Sequence, residues 1–286
     1  MEDGDPTESL VDAIEVDACQ KVPSSGNCVN LSSSRSARLP VSASAPSRYS
    51  SHVVIPIIAH RTCPLHAPEN SLEGIRRAAE LGADGVEIDV RPSLEGVPML
   101  MHDWSTFRTM RLPGPIRFYP AALLRRFRLR GGSEPPPTLD EALAALPESL
   151  SIAIEVKDAA TSAATLRAVR KHGLESRVRF WSYRERAVRY FSKEAPEIET
   201  SLLRDPTDPE GLATFLADAA SFGARGISAH WAAINPQFVA EAHSRHLKVY
   251  SWIRDLDLVE RKVAAGLDGI VTNEPREVRD ILTRAP

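Results

Sequence analysis

The sequence predicts an α/β fold in which eight parallel strands and their helices close into a (β/α)8 barrel. From residue 52 to the C-terminus, short β-rich runs alternate with helical patterns, and such alternation favours a parallel sheet covered by helices. This region has about 235 residues, enough for one large core. Several of the apolar runs end in His, Arg, Glu or Asp. Barrel enzymes keep their active sites at the C-terminal ends of the strands.

Residues 1–51 are predicted to be a disordered tail, and residues 52–286 the barrel domain. Residues 23–51 are rich in Ser, with scattered Pro, Gly and Arg and almost no large apolar side chain. Such a segment buries too little surface to offset the entropy of ordering it. The chain begins with acidic residues and no apolar stretch follows, so no signal peptide is predicted. A cytoplasmic location is the default expectation.

Nine strands and eight helices can be placed in the predicted barrel domain. The strands are predicted at 53–59, 85–90, 97–102, 151–156, 179–182, 199–203, 226–229, 248–252 and 269–272. The helices are predicted at 70–81, 138–146, 160–172, 184–194, 209–222, 237–245, 256–265 and, after the last strand, 277–283. Asn70 with Glu73 and Thr138 with Glu141 have the spacing of N-terminal capping pairs.

A β-hairpin explains why there is one strand too many for an eight-stranded barrel. Only residues 91–96 separate the second and third strands, whereas a parallel crossover needs at least roughly 10–12 residues. The third strand is therefore predicted to be an insertion that pairs antiparallel with the second. A turn centred between Leu94 and Glu95 would place Glu87 opposite His102.

Three carboxylates at predicted strand ends form a candidate metal site. Glu87 and Asp89 are two residues apart on one strand, so both project from the same face. Glu155 ends a further apolar strand. Carboxylates that share a face repel one another unless a cation lies between them, and hard divalent ions prefer oxygen ligands. One divalent ion, Mg²⁺ or Ca²⁺, is predicted here.

Two histidines close neighbouring apolar runs and are candidate catalytic residues. His60 and His102 beside three carboxylates suit general acid–base chemistry on a phosphoester, in which one takes a proton and the other gives one. Arg61 and Lys157 would offset charge on the phosphoryl oxygens.

These motifs together resemble the glycerophosphodiester phosphodiesterase family. They are AHR at 59–61, PEN at 68–70, GADGVEID at 82–89, GVP at 96–98, HD at 102–103, IEVK at 154–157, VYSWIRD at 249–255 and GLDGIVTNEP at 266–275. The resemblance runs from about residue 57 to 275. It implies a TIM-type barrel and the hydrolysis of glycerophosphodiesters to glycerol 3-phosphate and an alcohol. It further implies that the glycerol 2-hydroxyl attacks first, giving a cyclic phosphate that water then opens.

The resemblance also assigns roles to individual residues. It implies a metal on Glu87, Asp89 and Glu155, acid–base roles for His60 and His102, and phosphate contacts from Arg61 and Lys157. Trp252 is expected near the substrate, and Glu69 and Asn70 are expected as supporting residues at the rim. Three positions depart from the family pattern: Thr62 replaces a glycine, Asp255 stands where the family tends to have asparagine, and Asn273 replaces a common aspartate.

Two other functions remain open from the sequence. One keeps the barrel and changes the substrate, as in a lysophospholipase D-like or sphingomyelinase D-like lipid phosphodiesterase. The other is a barrel that binds phosphodiesters without turnover. The net charge of −3 does not suggest a nucleic-acid partner. The three cysteines have no metal-type spacing, and no apolar run approaches the roughly 20 residues of a membrane span.

An arginine-rich stretch follows the second histidine. Residues 104–133 contain no acidic residue and seven arginines, interleaved with aromatic residues. One interpretation is a solvated face of the loop that covers the barrel mouth. The other is a lid, centred on residues 108–130, that attracts anionic substrates or makes transient contact with a phospholipid surface.

Overall fold

The computed structural model describes residues 55–284 and contains the predicted barrel. The predicted tail, residues 1–51, and the first residues of the predicted first strand lie outside the described residues. The strands are β1 (Ile57–Ala59), β2 (Gly85–Pro92), β3 (Pro98–Leu100), β4 (Ser151–Val156), β5 (Val178–Ser182), β6 (Glu199–Arg204), β7 (Gly226–Ala229), β8 (Lys248–Trp252) and β9 (Gly269–Thr272).

Eight of the strands described form a closed parallel barrel. Their order is β1-β9-β8-β7-β6-β5-β4-β2, and β1 also pairs with β2 to complete the ring. The pairing of β2 with β4 matters for function because it sets Asp89 beside Glu155. Parallel strands end at the same edge, so the polar residues at their C-terminal ends share one mouth of the barrel.

The extra strand, β3, is the second arm of a hairpin, as predicted. Its pairs with β2 are Val90 with Leu100, Arg91 with Met99 and Pro92 with Pro98. The turn is therefore centred on Glu95, and Gly96 has the positive φ of 81° that a three-residue hairpin loop requires. We expected Glu87 opposite His102, but the register differs by one residue and that expectation was wrong.

Ten α-helices flank the strands within residues 55–284. They are α1 (Leu72–Glu80), α2 (Phe107–Met110), α3 (Ala121–Leu124), α4 (Leu139–Ala144), α5 (Ser162–His172), α6 (Glu185–Glu194), α7 (Pro209–Ser221), α8 (Pro236–Ser244), α9 (Val259–Ala264) and α10 (Pro275–Thr283). The predicted capping pair of Thr138 and Glu141 is confirmed as a reciprocal capping box. The predicted cap of α1 was wrong by one residue, since Ser71, not Asn70, accepts from the backbone of Gly74.

The buried apolar residues form separate layers. Two large clusters lie between the barrel and its outer helices, and a smaller one fills the barrel interior around Trp181 and Tyr250. A fourth cluster belongs to the insertion (residues 101–137), which packs against the hairpin through Met99, Met101 and Leu124. Within residues 55–284, no helix has the length and apolar character needed to cross a bilayer.

Candidate active site

The three predicted metal ligands converge at the mouth of the barrel. Glu87 and Asp89 lie on β2, and Glu155 lies on the adjacent strand β4. One carboxylate oxygen from each residue lies within 4.8 Å of the other two, and all three side chains are buried. Alternation along the strands explains the placement, because residues two apart face the same side. The set offers only oxygen donors, which suits a hard divalent cation.

The charge balance of this cluster also fits a cation. Glu87 Oε2 accepts from the backbone nitrogen of Arg61 at 2.8 Å, whereas its buried Oε1 has no hydrogen-bond partner among the described residues. Burial and the neighbouring carboxylates Asp89 and Glu155 raise the pKa of Glu87. A divalent ion would supply the missing partner of Oε1 and would favour the ionised carboxylate.

Two cationic side chains border the carboxylates. Lys157 Nζ lies 2.6 Å from Glu155 Oε1 and 3.1 Å from Asp89 Oδ1. Arg61 Nε lies 3.7 Å from Asp89 Oδ2. Burial disfavours the charge on Asp89, but Lys157, His102 and Arg61 together hold the pKa of that carboxyl below its usual range. Both cations therefore lie beside the carboxylates that were predicted to hold the metal.

Asn70 supports the metal-ligand cluster and does not cap a helix. Its Nδ2 donates to Asp89 Oδ2 at 2.8 Å, and its Oδ1 accepts from the backbone nitrogen of Asp89 at 2.9 Å. Asn70 has a φ of 54°, a left-handed conformation that asparagine tolerates better than most residues. The predicted supporting residue thus contacts a predicted ligand directly.

His60 follows β1 and packs against the predicted substrate residue Trp252. The two ring centroids are 4.5 Å apart. His60 Nδ1 lies 2.9 Å from Asn273 Oδ1, so an Nδ1–H donor leaves Nε2 as the proton-accepting nitrogen. Burial, followed by the charge of Arg61, lowers the pKa of His60 to about 3. The imidazole is therefore neutral near pH 7.

His102 belongs to a chain of charged side chains that leads away from the mouth. Its Nδ1 lies 2.8 Å from Asp103 Oδ1. Arg108 donates to both oxygens of Asp103, at 2.5 and 2.9 Å, and to both oxygens of Glu69, each at 2.6 Å. The hydrogen bond to Glu69 is the main reason that the pKa of Arg108 is raised. Glu69, predicted as a supporting residue, thus reaches His102 through Arg108 and Asp103.

The turn after His60 has an unusual backbone. Arg61, Thr62 and Cys63 have φ values of 43°, 63° and 71°, and a β-branched residue such as threonine rarely adopts this conformation. Thr62 is fully buried, and its Oγ1 accepts from the backbone nitrogen of Ser71 at 3.2 Å. A Cβ on Gly74 would lie 2.3 Å from the carbonyl and hydroxyl oxygens of Thr62. Thr62 is therefore accommodated because α1 has a glycine opposite it.

Cys63 takes no part in the predicted chemistry. The side chain is buried and has no disulfide partner among the described residues. Burial raises the pKa of its thiol to about 12, and a protonated, buried thiol is a poor nucleophile and metal ligand.

The structure brings together all ten site residues that the sequence predicted. The carboxylates form the metal-ligand cluster, which is bordered by His60, Arg61 and Lys157. Trp252 packs against His60, and Glu69 is connected to His102 through Arg108 and Asp103. Three contributors were missed: Asp103, Arg108 and Asn273. The position of Asp103 directly after His102 could have indicated its role. Asn273 could have been identified because it departs from the family pattern. Arg108 had no local signal, because its partner Glu69 is 39 residues away.

A carboxylate cluster flanked by two histidines at the C-terminal mouth of a (β/α)8 barrel is the arrangement of a barrel phosphodiesterase. Residues 60–277 match the family model described as the glycerophosphoryl diester phosphodiesterase family. The chain belongs to that family.

Individual relatives agree with this assignment. A glycerophosphodiester phosphodiesterase from Caldanaerobacter subterraneus subsp. tengcongensis is 26% identical over 241 residues, covering 80% of this chain and 98% of the relative. Human glycerophosphodiester phosphodiesterase 1 is 41% identical over 112 residues, but the match covers only 36% of this chain and 34% of the human protein. The structure of an Oleispira antarctica phosphodiesterase, in complex with the product sn-glycerol 3-phosphate, is 26% identical with a TM-score of 0.72, covering 80% of this chain and 98% of that one.

Proposed function

We propose that this protein hydrolyses glycerophosphodiesters to glycerol 3-phosphate and an alcohol, using His60 and His102 as the acid–base pair and one divalent cation. The observation that carries this proposal is a set of three buried carboxylates within 4.8 Å of one another, with His60 and His102 both near enough to interact with the charge of Asp89 and held by different partners. The family and the product complex of its relative support the substrate class.

The partners of the two histidines distinguish their roles. His60 contacts the uncharged amide of Asn273 and is neutral, so its Nε2 would accept the proton of the glycerol 2-hydroxyl. His102 contacts the carboxylate of Asp103, which fixes the orientation of its ring. With His60 as the base, His102 would be the residue that donates a proton to the alcohol that leaves.

The proposed reaction has two balanced steps. In the first, the glycerol 2-oxygen bonds to phosphorus, the bond to the leaving alcohol breaks, His60 takes the hydroxyl proton and His102 protonates the alcohol. In the second, the water oxygen bonds to phosphorus, the bond from phosphorus to the glycerol 2-oxygen breaks, His102 takes a proton from the water, and His60 returns its proton to the 2-oxygen. Each histidine ends in its starting form.

The remaining residues would hold the phosphate. Arg61 and Lys157 lie beside the carboxylates and would contact the phosphoryl oxygens. When bound by Glu87, Asp89 and Glu155, the cation would act as a Lewis acid on those oxygens. Burial of the whole cluster limits screening by water and strengthens these electrostatic contacts.

The test compares glycerophosphocholine, glycerophosphoethanolamine and a lysophospholipid as substrates, with and without EDTA. We expect release of glycerol 3-phosphate that EDTA stops and that added Mg²⁺ or Ca²⁺ restores. His60→Ala, His102→Ala and Glu87→Gln should each abolish it while circular dichroism shows an intact fold. The matched control is His66→Ala, because His66 is an exposed histidine of the same loop.

Three results would overturn the proposal. Near-full activity in any of the three site variants would contradict the role assigned to that residue. Activity that persists in EDTA would contradict the requirement for a divalent cation. Turnover of the lysophospholipid alone would replace the substrate class with a lipid phosphodiester.

A further inference from the structure

The large apolar side chains that are exposed gather at the catalytic end of the barrel. Within the described part of the chain, four of the seven lie in the insertion. They are Trp104, Phe107, Phe118 and Leu123, exposed by 54, 63, 62 and 37%. Leu65 follows β1, Leu94 lies at the tip of the hairpin, and Tyr183 follows β5. Exposed apolar groups concentrated on one region mark an interaction surface more often than scattered ones do.

Backbone hydrogen bonds hold the segment that carries these exposed side chains in a defined conformation. The backbone nitrogen of Ile116 donates to the carbonyl of Trp104 at 3.0 Å, and the nitrogen of Leu94 donates to the carbonyl of Tyr119 at 3.0 Å. The insertion therefore closes on itself near Trp104 and is tied to the hairpin near Phe118. The small core beneath it is packed, so the exposed rings project from a defined surface.

The structure divides the seven arginines of the insertion into two groups. Arg108 pairs with Glu69 and Asp103, and Arg125 pairs with Glu141. The other five are exposed and have no ion-pair partner among the described residues; they are Arg111, Arg117, Arg126, Arg128 and Arg130. Residues 104–133 contain no acidic residue, so the segment contributes these five exposed arginines without ion pairs to a chain whose net charge is −3.

We propose that the insertion docks on an anionic phospholipid surface, with Trp104, Phe107 and Phe118 at the level of the headgroups and the five unpaired arginines on lipid phosphates. Basic residues beside exposed aromatic rings are the combination that favours the boundary between water and lipid. Nucleic acid would also attract the arginines. The aliphatic side chains of Leu65, Leu94 and Leu123 favour lipid, because they provide no surface on which bases stack.

Docking would bring the catalytic mouth close to the lipid. His102 and Asp103 lie at the start of the same insertion that carries Trp104 and Phe107. A lipid surface bound by these aromatic rings would therefore lie close to His102. The proposal concerns binding, and it holds or fails whether or not the site turns over a substrate.

The experiment measures cosedimentation of the full-length protein with phosphatidylcholine vesicles and with mixed phosphatidylcholine–phosphatidylserine vesicles. We expect binding to the mixed vesicles that added salt weakens, and a blue shift in tryptophan emission that Trp104→Phe removes. Replacing Arg117, Arg126 and Arg128 together by Ser should weaken binding about a hundredfold, since each basic residue contributes about fivefold at such a surface.

A charge-matched control uses exposed arginines away from the insertion. Arg167→Ser, Arg261→Ser and Arg284→Ser together remove the same charge from the outer helices and should leave vesicle binding unchanged. Equal binding by the two triple variants would overturn the proposal, and so would an unshifted emission of Trp104. Tight binding to single-stranded RNA that is lost with the arginines while Trp104→Ser has no effect would assign the surface to nucleic acid instead.

Activity on soluble glycerophosphocholine separates this inference from the catalytic one. We expect the insertion variants to keep that activity, because none of the changed residues lies among the carboxylates or the histidines. A protein that binds vesicles but hydrolyses nothing would contradict the proposed function and leave the docking surface in place.

Discussion

Asn70 and Asp89 are joined by two hydrogen bonds, one to the carboxylate and one to the backbone of the metal-ligand strand. The loop that precedes α1 therefore fixes both the position of β2 and the orientation of one ligand. The left-handed backbone of Asn70 is what turns its amide toward Asp89 and away from the helix that it was predicted to cap.

Replacing Asn70 by Gly should weaken the metal site. Glycine adopts the same left-handed backbone, so the substitution removes only the two hydrogen bonds. We expect metal affinity to fall by roughly 10–100-fold and stability by about 1–3 kcal/mol, because the buried nitrogen of Asp89 loses its acceptor. Titration calorimetry and chemical unfolding measure the two effects.

The control for this prediction is Asn235→Gly at the N-cap of α8. Glycine at a helix cap costs only a few tenths of a kcal/mol, and the side chain of Asn235 hydrogen-bonds to Ala233 and Phe238 and not to the carboxylates. Unchanged metal affinity in Asn70→Gly would show that Asp89 is held by the strand alone.

Arg108 is a positioning residue, because it acts on His102 through Asp103. Arg108→Ala should lower kcat by about 100-fold and leave KM nearly unchanged, since the arginine does not contact the phosphate position. Arg108→Lys should recover little, because lysine cannot form the paired hydrogen bonds to Glu69 and Asp103. Steady-state kinetics on glycerophosphocholine make the measurement.

Arg125→Ala provides the comparison for Arg108. Arg125 is also an arginine of the insertion that forms an ion pair, with Glu141 of α4, and it forms no ion pair with Asp103. Its removal should leave kcat close to the wild-type value. Equal losses in the two variants would mean that the insertion had merely been loosened.

Asn273→Asp should shift the acid limb of the kcat/KM profile to higher pH. The native pKa of His60 is lowered to about 3, chiefly by burial, so the neutral base persists in acid. A carboxylate at the position of the amide would favour the imidazolium and raise that pKa. The variant would then lose its base at a pH where the native protein keeps it.

The profile is measured at saturating metal, with Asn235→Asp as the control for an added charge remote from His60. Superimposable acid limbs for Asn273→Asp and the native protein would remove His60 from the role of base.

Gly74→Ala should damage both stability and catalysis. The added Cβ would lie 2.3 Å from the backbone oxygen of Thr62, so the turn that carries His60 and Arg61 would have to move. Overpacking of this kind costs typically about 1–3 kcal/mol. Gly173→Ala is the control, because Gly173 at the end of α5 has open space around it and a positive φ of 64°, so alanine there adds backbone strain without a clash. It should lower stability without lowering kcat.

The architecture could be predicted because it depends on local patterns. Period-2 runs and helical spacing located the eight barrel strands, and the six-residue link identified the hairpin. The register of that hairpin was wrong because a count of residues does not distinguish a two-residue loop from the three-residue loop that Gly96 permits. The cap of α1 was misplaced because Asn70 and Ser71 are both good capping residues.

The site residues could be predicted where they lie on strands, because the periodicity of a strand determines which side chains share a face. Glu87 and Asp89 share a face by periodicity alone, and Glu155 ends the neighbouring strand. The connection from Glu69 through Arg108 to Asp103 could not be predicted, because it joins separate loops through side chains. The arginine-rich composition of residues 104–133 instead suggested that Arg108 is one of several exposed arginines.

The two histidines belong to parts of the protein with separate cores. His60 follows a barrel strand, whereas His102 begins the insertion, whose small apolar cluster is independent of the larger ones. Units with separate cores can open at different free energies. Gentle heating should therefore produce a species that keeps the carboxylate cluster but has displaced His102, the proposed proton donor, with inactivation preceding the unfolding of the barrel.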